Sequence, residues 1–252
     1  MRIASRAFLL DPFARVSHRS IGLADIQNHL IELLPRRDRR SLLALCEPVQ
    51  LVLSEVLGES GNSTRHAYFP VDAFISLVTL IDGKPVLEVG MVGREGMLGA
   101  HLALGVTTAP FHALVQGPGT ALRIGAGAFR TELAGSAPLR RALSRYLYVL
   151  MTQMATSAAC LRYHLIGPRL ARWLLMSQDR AHSNQFHVTH EFLAYMLGVR
   201  RVGVTVAAGA LQRNRLIEYH RGNFTVLDRA GLESASCSCY AADRQAYATL
   251  MN

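Results

Sequence analysis

Apolar residues recur at helical spacing near both ends of the chain and in short strand-like runs between them. Asn28 to Cys46 reads as two helical turns, a break at Pro35 and a further helix. Leu42, Leu43, Leu45 and Cys46 form one face of that helix, and Arg36, Arg37, Arg39 and Arg40 the other. From Val49 to about Arg123 the runs are rich in Val, Ile, Leu, Phe and Tyr. Turn signals separate them at 59–62, Asp82-Gly83, Gly93, Gly96, Gly99, Gly105 and 117–119. Asp82-Gly83, between FISLVTLI and KPVLEVGMV, predicts a hairpin. Several such strands predict an all-β sandwich or barrel, a shape that can hold a small molecule in its mouth.

Helical spacing returns at Ala126–Leu133, and Gly135-Ser136-Ala137-Pro138 supplies a cap and first turn for the next helix. No breaker follows from Leu139 to about His164. Leu139, Leu143, Tyr146, Leu150, Met154, Ser157 or Ala158, and Leu161 recur in steps of three and four. That spacing suits a coiled-coil seam between two copies of the chain, or a helix buried on its own domain. The seam is the expectation, because Ala155, Ser157, Ala158 and Ala159 are small enough to let a second helix approach. Gly167-Pro168 predicts a break, and Arg169–Arg180 a helix with Leu170, Trp173, Leu174 and Met176 inward. Ala181–Gln185 reads as a loop, and Ala230–Leu250 as a helical tail with no assigned role.

The stretch from Val188 to Leu227 carries the chemistry. Thr189 is a good N-cap, Glu191 suits the first turn, and Phe192, Leu193, Met196 and Leu197 make an apolar face. Ala194 is small where two helices must cross, and Gly198 suits the left-handed turn between them. A second helix is predicted from Val199 to about Arg213, with Val199, Val204, Ala207 and Leu211 inward. Arg200, Arg201, Val202 and Thr205 then face outward near its N-terminus. Ile217–Tyr219 and Phe224–Val226 read as strands of a hairpin with His220, Arg221, Gly222 and Asn223 at its tip. This is the pattern of a winged helix-turn-helix, whose second helix enters the DNA major groove. Arg201 is the candidate base reader, since its planar fork matches guanine O6 and N7. Thr205 is placed to touch a base edge or phosphate, and Val202 a thymine methyl. Arg200, Arg221 and the amides around Thr189 are candidate phosphate contacts. Gly203, mid-helix, has no account beyond close approach to DNA.

Composition sharpens this reading in two places. The 252 residues carry a net charge of +9, with 50% hydrophobic and 18% charged residues, a globular balance. From Arg162 to Arg229 ten arginines stand against Asp179, Glu191, Glu218 and Asp228, so this stretch holds +6 of the +9. Lys84 is the single lysine, so coding bias explains arginine over lysine but not the local excess. Cys46, Cys160, Cys237 and Cys239 offer neither a CxxC pair nor a zinc quartet by spacing. Cys237-Ser238-Cys239 could bind metal or respond to redox, but it reads as part of a solvated tail and no metal site is expected. The N-terminal apolar run is broken at Asp11-Pro12 and nothing approaches the ~20 apolar residues of a membrane span, so a cytoplasmic protein is expected.

With ARWLLMSQDR, T-x-E-x-L-A-x-M-L-G-V-R-R, the wing and GLESASCSCY in this order behind a β-rich region, the chain resembles the Crp/Fnr family of bacterial transcription regulators. The resemblance runs from about Gln27 to Tyr240. It implies an α+β fold: a cyclic-nucleotide-binding-like β jelly roll, a long dimerisation helix and a C-terminal winged helix-turn-helix. The divisions expected are an arm at 1–26, a helix plus jelly roll at 27–134, the dimerisation helix at 135–165, and the DNA-binding domain with its tail at 166–252. It further implies a homodimer on a near-palindromic operator. Arg201 matches the family's guanine-reading arginine, Arg200 a phosphate-contacting position and His220 a wing histidine near phosphate. Val202 and Val206 stand where the best-known member has a base-reading glutamate and a second arginine, so the operator should differ.

The same resemblance removes two switches. Phe111-His112-Ala113 stands where cyclic-AMP-binding members carry an arginine and serine for the cyclic phosphate. Glu95 resembles their ribose-binding glutamate only loosely, so no cyclic nucleotide is expected. No cysteine cluster lies in the first forty-five residues to hold an iron–sulfur centre. The small-molecule effector is thus unknown and no cofactor is expected. RNA polymerase is a further candidate partner, without an identifiable surface. His66, His101 and His112 are too far apart in sequence for a metal-dependent cupin, and no Gly-x-Ser-x-Gly or P-loop occurs, so the chain is not expected to be an enzyme. The competing reading is an effector- or partner-binding module of the same fold that has lost specific DNA binding.

Overall fold

The computed structural model describes residues 28–82, 84–181 and 183–251; the arm expected at 1–26 lies outside them. Two short helices, α1 (His29–Glu32) and α2 (Arg36–Ala44), lead into seven strands. These are β1 (Glu47–Leu51), β2 (Val56–Gly58), β3 (His66–Pro70), β4 (Phe74–Ile81), β5 (Lys84–Val92), β6 (His112–Gly117) and β7 (Gly119–Gly125). They form two antiparallel sheets, ordered β1-β7-β3 and β2-β6-β4-β5. Leu51, Tyr68, Ile75, Leu77, Val92, Val115 and Ala121 pack together as one of its cores. The β4–β5 hairpin turns where expected: Ile81 pairs Lys84, and Asp82 takes a left-handed φ of 52°.

Helix α3 (Ala126–Gly135) hands over to α4 (Ala137–Tyr163) at Ser136. The Ser136 hydroxyl accepts from the Leu139 amide at 3.1 Å and donates to Asp38 at 2.5 Å, which ties the start of α4 to α2. The α4 face differs from the expected seam. Leu139, Leu143, Tyr146 and Leu150 are buried in a core shared with α1, α3 and the β-domain, and Met154 packs against the sandwich interior. Leu161 is half-buried, beside α5 residues in a small cleft. The spacing of three and four was therefore the signature of a helix anchored on its own domain. The outward face carries Arg141, Ser144, Tyr148, Met151, Ala155, Ala158 and Arg162.

Helix α5 (Ile166–Ala181) begins before Gly167-Pro168, so the break lies at His164–Leu165. Pro168 sits in the first turn, where its missing N–H has no partner to lose. Every α5 residue from Arg169 to Gln178 is buried, because the helix is wedged between the sandwich and the C-terminal elements. Phe74, Val78 and Met91 share one core with Trp173, Leu174, Val204 and Phe224. After it come β8 (Gln185–His187), α6 (His190–Leu197), α7 (Arg201–Arg213), β9 (Ile217–His220) and β10 (Asn223–Val226). Strand β8, whose first residue Gln185 falls in the expected loop, joins the sheet β8-β10-β9. Among the described residues no single helix is long and apolar enough to cross a membrane.

The tail packs by one face against the body of the protein. Helices α8 (Arg229–Ala235) and α9 (Cys239–Leu250) fold back, α8 onto α5 and α9 along α4. Tyr247 Oη donates to the Glu95 carbonyl at 2.8 Å and meets His29 Nδ1 at 2.7 Å, and Met251 is buried in the α1–α4 core. Cys237 and Cys239 are buried with Cys160, which corrects the exposed tail expected of them.

Candidate nucleic-acid interface

Local chemistry builds this site from its first turn. The Thr189 hydroxyl accepts from the Phe192 amide at 3.1 Å, capping α6 as expected. Gly198 ends α6 at φ 61° and ψ 42°, a left-handed conformation that costs glycine nothing. The chain then bends by 108° into α7. Helix α7 starts at Arg201, two residues later than predicted. Arg200 is its cap residue in extended conformation, and Val199 belongs to the turn.

Val204, Ala207, Ala208 and Leu211 bury one face of α7. Arg201, Val202, Thr205 and Val206 are exposed on the other, with both valines about two-thirds open to solvent. Gly203 is half-buried against α5. A Cβ there would come within 2.7 Å of Ile166 Cδ1, so the absent side chain lets α7 cross closely over the start of α5.

The wing is a two-residue hairpin. His220 pairs with Asn223, leaving Arg221 (φ 47°) and Gly222 (φ 89°) as the turn. Two successive positive φ values define the primed turn that matches strand twist. Glycine is required at the second position for a further reason: a Cβ would stand 2.6 Å from the His187 ring. His220 and Arg221 are exposed at this tip. The exposed guanidinium-bearing residues Arg200 and Arg201 on the helix side and Arg221 on the wing side make the basic character of this face.

Thr205 is exposed, and its hydroxyl has partners within the protein. Its hydroxyl donates to the Arg201 carbonyl at 3.1 Å and meets His190 Nδ1 at 3.0 Å. With that proton committed, His190 Nδ1–H is the donor of the second bond. Thr205 thus braces the first turn of α7 rather than presenting a free hydroxyl. His190 is the residue sequence reasoning passed over. Its ring stacks on Tyr219 of the wing at 4.2 Å between centroids, 17° from parallel. Burial, and the nearby Arg201 charge, hold its pKa below the usual histidine value, so the neutral ring is favoured. One imidazole therefore fixes α6, α7 and the wing relative to each other. Its position directly after the N-cap was visible, but its partners lie far along the chain.

The β-domain holds a separate cleft of about 950 Å³. It is lined by strand residues including His66, by Phe111 just before β6, by His101, and by Leu150, Met151 and Met154 of α4. His101 bonds Thr64 at 2.8 Å, and burial lowers its pKa. Glu95, loosely similar to a ribose-binding glutamate, is turned elsewhere: its carboxylate pairs with Arg180 of α5 at 2.8 Å.

Residues 168–235 match the Crp-like helix-turn-helix domain. No curated protein sequence matches the chain. Among solved structures, FixK2 from Bradyrhizobium japonicum superposes with a TM-score of 0.64 at 11% identity, over 76% of this chain and 98% of that one. A transcriptional regulator of the Crp/Fnr family from Eubacterium rectale gives 0.62 at 17% identity, over 83% and 99%. CLP from Xanthomonas campestris, described as a c-di-GMP-responsive global regulator, gives 0.61 at 16% identity, over 76% and 99%. At these identities the likeness is one of fold: β-rich N-terminal domain, long helix, C-terminal helix-turn-helix.

Proposed function

We propose that this chain, a Crp-like helix-turn-helix domain carried on a Crp/Fnr fold, is a sequence-specific transcription regulator that binds double-stranded DNA as a homodimer. The observation that carries the reading is the exposed N-terminal face of α7, with Arg201 on the helix and Arg221 on the adjoining wing turn. A helix N-terminus presented beside a basic wing suits insertion into the major groove, with the wing on the flanking backbone. Arg201 reads guanine, Arg200, Arg221 and His220 contact phosphate, and Val202 meets an apolar base edge such as the thymine methyl. The Thr189 end of α6 approaches phosphate through its amides.

Pairing uses the outward face of α4. Tyr148 and Met151 are 59% and 67% exposed there, next to the small residues Ala155 and Ala158. A second copy against this stripe buries both large side chains and sets two α7 helices on half-sites ~34 Å apart. The 950 Å³ cleft is the effector site, since Met151 and Leu150 of α4 line it together with the strands. Phe111 in its wall and the diversion of Glu95 to Arg180 argue against a cyclic nucleotide.

The test is selection of bound duplexes from a random pool, with and without cell extract. A near-palindromic consensus with two half-sites one helical turn apart is expected. Recovery of no consensus in either condition, from folded protein, refutes specific reading.

A further inference from the structure

Four metal-ligating side chains converge where α4 ends. Cys160 lies in the last turn of α4, and His164 is the residue that caps the helix in an extended conformation. Cys237 comes from the link between α8 and α9, and Cys239 is the first residue of α9. Their ligand atoms all lie within 4.8 Å of one another. Cys160 Sγ stands 3.5 Å from Cys237 Sγ, and Cys239 Sγ 3.5 Å from His164 Nδ1. Three of the four residues are 2–8% exposed and form a cluster of their own.

From this geometry we propose that Cys160, His164, Cys237 and Cys239 bind one thiophilic divalent cation, zinc foremost, as a tetrahedral Cys3His site. Zinc bonds of ~2.3 Å to sulfur and ~2.0–2.1 Å to nitrogen require sulfur–sulfur edges of ~3.8 Å and sulfur–nitrogen edges of ~3.5 Å. The Cys160–Cys237 and Cys239–His164 edges, at 3.5 Å each, are near those values, and the remaining edges are no longer than 4.8 Å. The spacing is too tight for a multi-iron cluster, whose cysteines must stand around several metal atoms. A single free cysteine is commonly buried as a small hydrophobe, but apolar packing gives no reason to gather three of them around a polar imidazole.

The surroundings fit a charged site. Binding releases three thiol protons to solvent, and three thiolates with a neutral imidazole and a divalent ion leave one net negative charge. Arg169 and Arg172, both buried on α5, are close enough to act on Cys160 and Cys237. Arg172 is also tied to Asp243 of α9 at 2.6 Å. Four protein ligands close the coordination sphere, which marks a structural site rather than a catalytic one. Its position gives it a consequence. The ion clasps the end of α4 to the start of α9, at the junction where α4 passes into α5 and the DNA-binding domain. Spacing hid the site because C-x3-H and C-x-C lie over seventy residues apart and neither is a familiar half-site.

The experiment uses the full chain purified under reducing conditions and reads no DNA, so it stands apart from the proposed function. Elemental analysis should find close to one zinc per chain. After removal by chelator, Co2+ titration should saturate at one per chain, with the visible bands of tetrahedral cobalt and a near-ultraviolet thiolate charge-transfer band. Cys237→Ala/Cys239→Ala should abolish both, and His164→Ala should weaken binding and alter the visible bands. If the double variant fails to fold, the wild-type titration decides alone. Reduced wild-type protein that takes up neither zinc nor cobalt in this form overturns the proposal, as does a Cys160–Cys237 disulfide in the purified protein with no metal uptake after its reduction.

Discussion

The Trp173 indole donates to the Glu88 carboxylate at 3.0 Å, joining α5 to strand β5 across the seam between the β-domain and the C-terminal elements. Ser76 Oγ donates to the same carboxylate at 2.5 Å. Both bonds favour the ionised form, yet burial outweighs them and pushes the Glu88 pKa up to about 7 from an ordinary 4.5.

The pH dependence follows from that direction. A carboxyl held above its unfolded value keeps its proton in the folded chain after the unfolded chain has lost it. Its contribution is complete below pH 4.5 and is lost as pH rises through about 7. The loss is about 3 kcal/mol for a change of this size. Denaturant unfolding at pH 5 and pH 8 should show stability falling in the wild type, with a flatter profile in Glu88→Gln. An equal fall in both proteins removes Glu88 as the cause.

How much of this was legible depended on how far each residue's partners lie. The β4–β5 hairpin with its Asp82 turn, the Thr189 cap and Gly198 are decided within a few positions, and each falls where the residues predict. The α4 seam was misplaced because a period of three and four reports only that one face is apolar. Whether Leu143 meets a second copy or its own β-domain is a tertiary fact. Glu95 likewise carries no mark of its pairing with Arg180, and Gly203 none of Ile166 beneath it.

Arg201→Ala should cost ~1–3 kcal/mol on the selected operator and relax preference at one base position in each half-site. Binding to unrelated DNA should remain, with nearly the wild-type salt dependence, because the phosphate contacts persist. Arg221→Ala should do the reverse: weaker binding to all sequences and a shallower salt slope. Titrations of both variants on operator and scrambled duplexes at several salt concentrations separate the two roles. Unchanged selectivity in Arg201→Ala removes it as the base reader.

Gly96 tests how tightly α4 is seated. A Cβ at this position would lie 2.0 Å from Tyr146 Oη and 2.1–2.3 Å from its ring, and Tyr146 is fully buried. The ring has no room to withdraw, so Gly96→Ala should lose ~1–3 kcal/mol by overpacking. Gly125, where an added Cβ meets nothing within 4 Å, is the control and should change little on substitution by alanine. Equal thermal midpoints for the two variants would show that α4 can shift without penalty.

The pairing surface on α4 can be told from its buried face by two arginine substitutions made eight residues apart. Leu143 is 0% exposed, so Leu143→Arg buries an unpaired charge and should unfold the β-domain. Met151 is 67% exposed, so Met151→Arg should leave the folded monomer intact. In a dimer paired through the Tyr148–Met151 stripe, however, it places two like charges at the two-fold axis. Sedimentation of wild type and Met151→Arg at micromolar concentration should give dimer and monomer respectively, with equal circular dichroism. Operator affinity should fall with dimerisation, because one α7 helix alone reads a single half-site. A Met151→Arg protein that stays dimeric moves the interface off this stripe, and a wild-type monomer on operator DNA removes the homodimer altogether.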